Sequence, residues 1–191
     1  MTMQEKDIKR EDLRKEGRDG IRQRGSDCQT ISRTGSLMAG VIGLILLLSL
    51  DQLSKLAASF FLKGSEAFVL IPGVFELRYL ENQGAAFGML EHMQWIFILF
   101  ALAVTAASAV FYLRMPKTAH YRPLRILCVV LGAGALGNMI DRIAHGYVID
   151  FFYFKLIDFP IFNMADIYVC VSTAILLLLI LFYYREEDFR V

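Results

Sequence analysis

Three cysteines and three histidines are few for 191 residues, and neither type falls into a metal or redox pattern. Cys28, Cys128 and Cys170 are far apart, form no CxxC, and two of them lie inside apolar runs. They read as small packing residues, not as a disulfide frame or a zinc site. His92, His120 and His145 fall in three different connecting regions with no HExxH pair, which disfavours a metalloprotease. No metal or other cofactor is expected. Charge of one sign is also missing, since the net charge is only +1, and no nucleic-acid partner is expected. What the chain has in excess is apolar side chains: 56% hydrophobic residues and a mean hydropathy of +0.48. That is too apolar for an ordinary soluble domain and the right size for one compact membrane domain.

The small net charge conceals an uneven distribution. Residues 1–36 hold nine Lys/Arg and seven Asp/Glu with almost no aliphatic content, so they cannot bury a core. They read as a charged, disordered or surface-lying cytoplasmic tail, and not as a cleavable signal peptide. Residues 37–184 form the membrane domain, and 185–191 a short cytoplasmic C-terminal tail. A hydrocarbon layer of about 30 Å needs about 20 mostly apolar helical residues. Four segments qualify, near 37–60, 93–113, 124–142 and 165–184. Arg114, Lys117, Arg122 and Arg125 crowd the link between the second and third. The 63–92 loop is slightly acidic, with Glu66, Glu76, Glu81 and Glu91 against Lys63 and Arg78. The positive-inside rule then puts both termini in the cytoplasm and the 63–92 and 143–164 connections outside. Those connections contain strand-like stretches, around Val74 to Tyr79 and after Gly146. The fold class is a membrane all-α four-helix bundle with a small external β element.

Ionised side chains are expensive at membrane depth, and there they mark function. Asp51 falls about 21 Å into the first span at about 1.5 Å per residue. Asp141 closes the third span at the same outer level, and Asp166 opens the fourth. In "DQLSK" (51–55) the i, i+4 pair Asp51 and Lys55 is spaced for a salt bridge, whereas adjacent Ser54 and Lys55 point about 100° apart and make a poor Ser–Lys nucleophile. "GAGALG" (132–137) spells GxGxxG but lies inside a membrane helix without a preceding strand. Small residues permitting close helix approach explain it better than a nucleotide. In "GNMIDRIAHGYVIDFF" (137–152), Asn138 shares a face with Arg142 at i, i+4 and with Asp141 at i, i+3; this cluster could neutralise its own charges at the helix end, or Arg142 could face a ligand. Asp150 sits among apolar and aromatic neighbours. Asp166, in "FNMADIYV", lies at a helix N-terminus, where an N-cap role is the bland alternative. Two carboxylates in different surroundings suit acid/base chemistry of the aspartic-peptidase kind.

Four blocks, taken in order, resemble the lipoprotein signal peptidase (type II signal peptidase) family of bacteria: "DQLSK", "NQGAAFG" (82–88), "GNMIDRIAHGYVIDF" and "FNMADIYV". The resemblance runs from about residue 40 to 184 and includes the four-span topology. It implies that Asp150 and Asp166 are the catalytic aspartates and that Asn82, Gly84, Asn138, Arg142 and Asn163 line the substrate site. Asp51, Lys55 and Asp141 would support it structurally. It also implies an external β-cradle, sensitivity to the cyclic peptide globomycin, and a diacylglyceryl-modified prolipoprotein substrate cut N-terminal to the lipidated cysteine. That would occur near the outer face of the bacterial cytoplasmic membrane, in contact with membrane lipid, by a monomer. The charged N-terminal tail is longer than the family's usual start. "NQGAAFG" would act as a flap or cradle edge. The competing readings are a small proton- or ion-coupled transporter, disfavoured because no acid lies in the inner half of any span, and a non-catalytic membrane assembly factor.

Overall fold

The computed structural model describes residues 32–84, 93–185 and 188. Four helices in it are long and apolar enough to cross a membrane: α1 (Arg33–Leu62), α2 (Gln94–Arg114), α3 (Arg122–His145) and α4 (Met164–Phe182). Each matches an apolar run, with boundaries moved by two to four residues at most ends. α1 begins inside the stretch assigned to the charged tail. The Ser32 hydroxyl accepts the Gly35 N–H at 3.0 Å, and such a cap lets a helix start on polar residues that hydropathy alone discounts.

The polarity of the bundle is that of a protein in lipid. Leu53, Leu56, Phe60, Leu181 and Phe182 point outward, while Asp51, Lys55, Asp141, Asp150 and Asn163 are each no more than 2% exposed. Lipid tails are as apolar as leucine, so helices here associate through close packing and internal polar contacts. α3 is the central helix, and its glycines make that possible. A Cβ on Gly134 would lie 2.6 Å from the Ala165 carbonyl oxygen, and one on Gly137 2.5 Å from Asp51 Oδ2. Helices α1 and α4 therefore reach the α3 backbone only because these positions carry no side chain. Gly137→Ala is expected to lower the melting temperature by several degrees, an overpacking loss of about 1–3 kcal/mol, although it changes no charge. A scan of the purified protein in detergent checks this; an unchanged melting temperature would contradict the packing.

A three-stranded antiparallel sheet in the order β1 (Phe68–Ile71), β2 (Phe75–Asn82), β3 (Val148–Phe154) sits at the end of the bundle where α1 finishes and α4 begins. Gly146, at φ 78°, ends α3 in the left-handed region and turns the chain directly into β3. β3 lies innermost, with Val148 to Phe151 buried, and Ile149 and Phe151 pack on Ala58 of α1. Its outer side is bridged by Phe162: the Phe152 N–H donates to the Phe162 carbonyl at 2.8 Å, and the Phe162 N–H donates back at 3.0 Å. The sheet thus fixes Asp150, on β3, over the start of α4. The 82–88 block is only partly described. Asn82, Gln83 and Gly84 are placed, and the remainder of the expected flap lies outside the described residues, as do residues 1–31 of the expected tail.

Candidate active site

The lowest layer of the site is a buried ion cluster. Lys55 Nζ lies 3.0 Å from Asp51 Oδ2, as the i, i+4 spacing requires, and also 3.0 Å from Asp141 Oδ2 on α3. Both carboxylates also bind backbone N–H groups. Asp51 Oδ1 accepts the Ala165 N–H at 3.0 Å, and Asp141 Oδ2 accepts the Ile149 N–H at 3.2 Å. One cation between two acids thus ties α1 to α3, to the start of α4 and to β3. Gln52 completes the layer by donating to Asp51 Oδ2 (3.1 Å), Asp141 Oδ1 (3.0 Å) and the Gly137 carbonyl (3.3 Å). Sequence reading left Gln52 without a role. A glutamine inside an apolar span was the available signal, since a buried amide in a membrane needs partners on other helices. Ser54 turns away and donates to the Asp51 carbonyl at 2.7 Å.

Two asparagines carry this layer upward. Asn138 Oδ1 accepts Lys55 Nζ at 3.0 Å, and Asn138 Nδ2 donates to Asp166 Oδ1 at 2.8 Å. Asn163 Nδ2 donates to Asp150 Oδ1 at 2.5 Å and to Asn138 Oδ1 at 3.1 Å. Asn163 is also the N-cap of α4. Its Oδ1 accepts the Asp166 N–H at 3.1 Å, and Asp166 Oδ2 accepts the Asn163 N–H at 3.1 Å. Asp166 is therefore not the cap itself but the third residue of a capping box. This geometry leaves Asp166 Oδ1 turned toward Asn138 and the site. Both the amide nitrogen and the amide oxygen of each asparagine are engaged, which holds both carboxylates in fixed positions.

Asp150 completes its shell with Asn82, whose Nδ2 donates to Oδ2 at 2.8 Å while its Oδ1 accepts the Gly84 N–H at 3.0 Å. Burial, reinforced by the nearby Asp166 charge, raises the Asp150 carboxyl to a pKa of about 7, against the opposing pull of the Asn82 and Asn163 hydrogen bonds and Lys55. A carboxyl poised near neutrality can both hold and give up a proton.

Arg142 does not neutralise its neighbour Asp141, because Lys55 does so from another helix. Among the described residues Arg142 makes no ion pair. Its Nη1 donates to the Asn138 carbonyl (3.3 Å) and Nη2 to the Gly84 carbonyl (3.4 Å). Its guanidinium lies 4.7 Å from the centre of the Phe97 ring. No sequence signal marked Phe97, one phenylalanine in an apolar helix. The structure thus gathers Asn82, Gly84, Asn138, Arg142, Asp150, Asn163 and Asp166 into one cluster. Asp51, Lys55 and Asp141 lie in one connected layer joined to it through Asn138.

The pattern of the family described as signal peptidase (SPase) II matches residues 43–182, a span that contains every residue of both layers. The chain belongs to the signal peptidase II family. A lipoprotein signal peptidase of Clostridioides difficile (strain 630) is 42% identical over 146 residues, 76% of this chain and 97% of that protein. A lipoprotein signal peptidase of Streptococcus pyogenes serotype M1 is 37% identical over 149 residues, covering 78% and 95%. The fold agrees with two solved structures of bacterial membrane enzymes obtained by the in meso method. One has a TM-score of 0.67 at 27% identity, covering 76% of this chain and 94% of the other. The second has a TM-score of 0.66 at 26% identity, covering 75% and 87%. The protein is thus a multi-pass membrane peptidase, and the transporter reading has no support. The long basic tail lies N-terminal to the matched region and leaves the family assignment untouched.

Proposed function

We propose that this signal peptidase is an aspartic endopeptidase that removes signal peptides from diacylglyceryl-modified prolipoproteins, with Asp150 and Asp166 as its catalytic pair. The carrying observation is that one asparagine, Asn163, binds both carboxylates, through its side chain to Asp150 and its backbone N–H to Asp166. The pair holds a single proton. The ionised member takes a proton from water as its oxygen attacks the scissile carbonyl carbon, and the protonated member donates to the carbonyl oxygen. Collapse of the tetrahedral intermediate re-forms the carbonyl, breaks the C–N bond and delivers a proton to the departing amine, that of the lipidated cysteine. Asn82, Gly84, Asn138, Arg142 and Asn163 line the substrate path. Arg142 and Asn82 have donors suited to backbone carbonyls of an extended peptide. Asp51, Lys55 and Asp141 act as supports.

Clustering of Arg114, Lys117, Arg122 and Arg125 at one end supports a cytoplasmic placement of that end and of both termini, in the bacterial cytoplasmic membrane. The site is then near the outer face, where the diacylglycerol of a substrate remains in the bilayer while the peptide reaches the acids. The residues that precede α1 and residues 185–191 are cytoplasmic tails around a catalytic domain that acts as a monomer. The test uses purified protein in detergent with a diacylated prolipoprotein and its unlipidated precursor. Only the lipidated form should be cut, with the product beginning at the modified cysteine. Equal cutting of both, or a cut elsewhere, would overturn the substrate assignment.

The rate should be bell-shaped in pH. Asp150 is protonated below about 7 and ionised above it, so the singly protonated pair is lost as pH rises through that value. On the acid side it is lost as a second proton binds. Asn82→Ala removes a hydrogen bond that favours the ionised carboxylate, so the upper limb should move to higher pH. A rate climbing steadily with pH until the protein unfolds would rule out a shared proton.

A further inference from the structure

We propose that the basic end of the bundle binds an anionic phospholipid, its headgroup against Arg122 and Arg125 and an acyl chain along a groove between α1 and α3. The groove has a volume of about 560 Å³; Ser36 and Tyr112 line it near the two arginines, and the rest of its wall is apolar, including Gly43, Leu46, Leu47, Ile126 and Val130. It lies at the opposite end of the bundle from the aspartates.

Arg125 is the reason to expect an anion. It is only 4% exposed, yet among the described residues no carboxylate pairs with it. Its Nη1 donates to Ser36 Oγ at 3.0 Å and its Nη2 to the Thr118 carbonyl at 3.5 Å, both neutral, and Nε has no acceptor. A buried charge without a counter-charge is unfavourable. Its surroundings deepen the imbalance. Arg122 and Arg125 stand at the start of α3, the positive end of the helix dipole, and the first turn contains no acid. In the preceding loop, burial and the repulsion of Arg125 and Arg33 hold the Lys117 ammonium below the usual lysine value. Arg33, Lys117, Arg122 and Arg125 form no ion pair with any described residue. A phosphodiester supplies the missing negative charge, as basic pockets between membrane helices do for acidic lipid headgroups. Free phosphate would meet the cations but leave the apolar groove unfilled, and the groove therefore selects a lipid.

The test is made on full-length protein in neutral detergent after delipidation. Phosphatidylglycerol, phosphatidylcholine and inorganic phosphate are added separately, and bound lipid is read by native mass spectrometry alongside melting temperature. Phosphatidylglycerol should be retained preferentially and should raise the melting temperature above the other two. Arg122→Gln should weaken its retention about fivefold, the contribution of roughly one basic residue. Arg125→Gln should weaken it at least as much. Should Arg125→Gln fail to fold, Gly43→Val provides an independent check. A Cβ there meets Val129 at an ordinary 3.5 Å, so the variant narrows the groove without altering charge, and it too should lose lipid. Equal retention of both lipids, unchanged retention in Arg122→Gln and Gly43→Val, or equal stabilisation by inorganic phosphate would overturn the proposal.

Discussion

Asp150→Asn and Asp166→Asn should each abolish prolipoprotein processing, with rates falling by about 10²–10⁴-fold or more, while the protein remains folded and membrane-inserted. Asparagine keeps the shape of the side chain but cannot exchange a proton. In Asp150→Asn the Asn163 and Asn82 amides lose a charged acceptor but keep a carbonyl oxygen to donate to. In Asp166→Asn the retained oxygen can still accept one of the contacts now made by Asn138 and the Asn163 backbone. The double variant should be no worse than either single one, because residues acting as a unit are not additive. Processing of a diacylated substrate, measured beside the melting temperature, decides it. Near wild-type processing by either single variant would remove that residue from the catalytic pair.

Lys55→Met should produce the largest loss of stability. Lys55 is 1% exposed and lies 3.0 Å from both Asp51 and Asp141. Removing it leaves two buried carboxylates facing one another without a cation. Breaking a buried pair from one side costs about 3–5 kcal/mol, which for a chain of this size corresponds to a fall of about 10 °C in melting temperature. Adding Asp141→Asn to Lys55→Met should restore part of that loss, since one orphaned charge goes with the cation. Asp141→Asn alone should lower stability and yield more than it lowers the activity of the protein that folds. A double-mutant cycle read by melting temperature measures the coupling. Additive losses would show that the cluster is not one unit, and a stable but inactive Asp141→Asn would move Asp141 into the catalytic pair.

The blocks that carry the site were legible as contiguous motifs, yet motif and geometry are different information. "FNMADIYV" marked Asp166 at a helix start, but not that Asn163 would cap the helix and thereby place Asp166 third in a capping box. "DQLSK" identified the Asp51–Lys55 pair from spacing alone. The same five residues hid the part played by Gln52, whose partners Gly137 and Asp141 are 85 and 89 positions away.

By itself the sequence determined the four spans, the external strands and the glycine-lined helix. These follow from local quantities: apolar residues summed over about 20 positions, a period of two in a strand, and the absence of a Cβ. Only the tertiary structure decided how the charges are paired. Asp141 is neutralised by Lys55 of another helix and not by adjacent Arg142, and Arg125 finds no acid among the described residues. The Asp150 carboxyl reaches a pKa of about 7 because burial and Asp166 act on it together. Coulomb energy and desolvation depend on distance and surroundings in space, and Lys55 meets Asn138 across 83 positions of chain, a separation that no local pattern can encode.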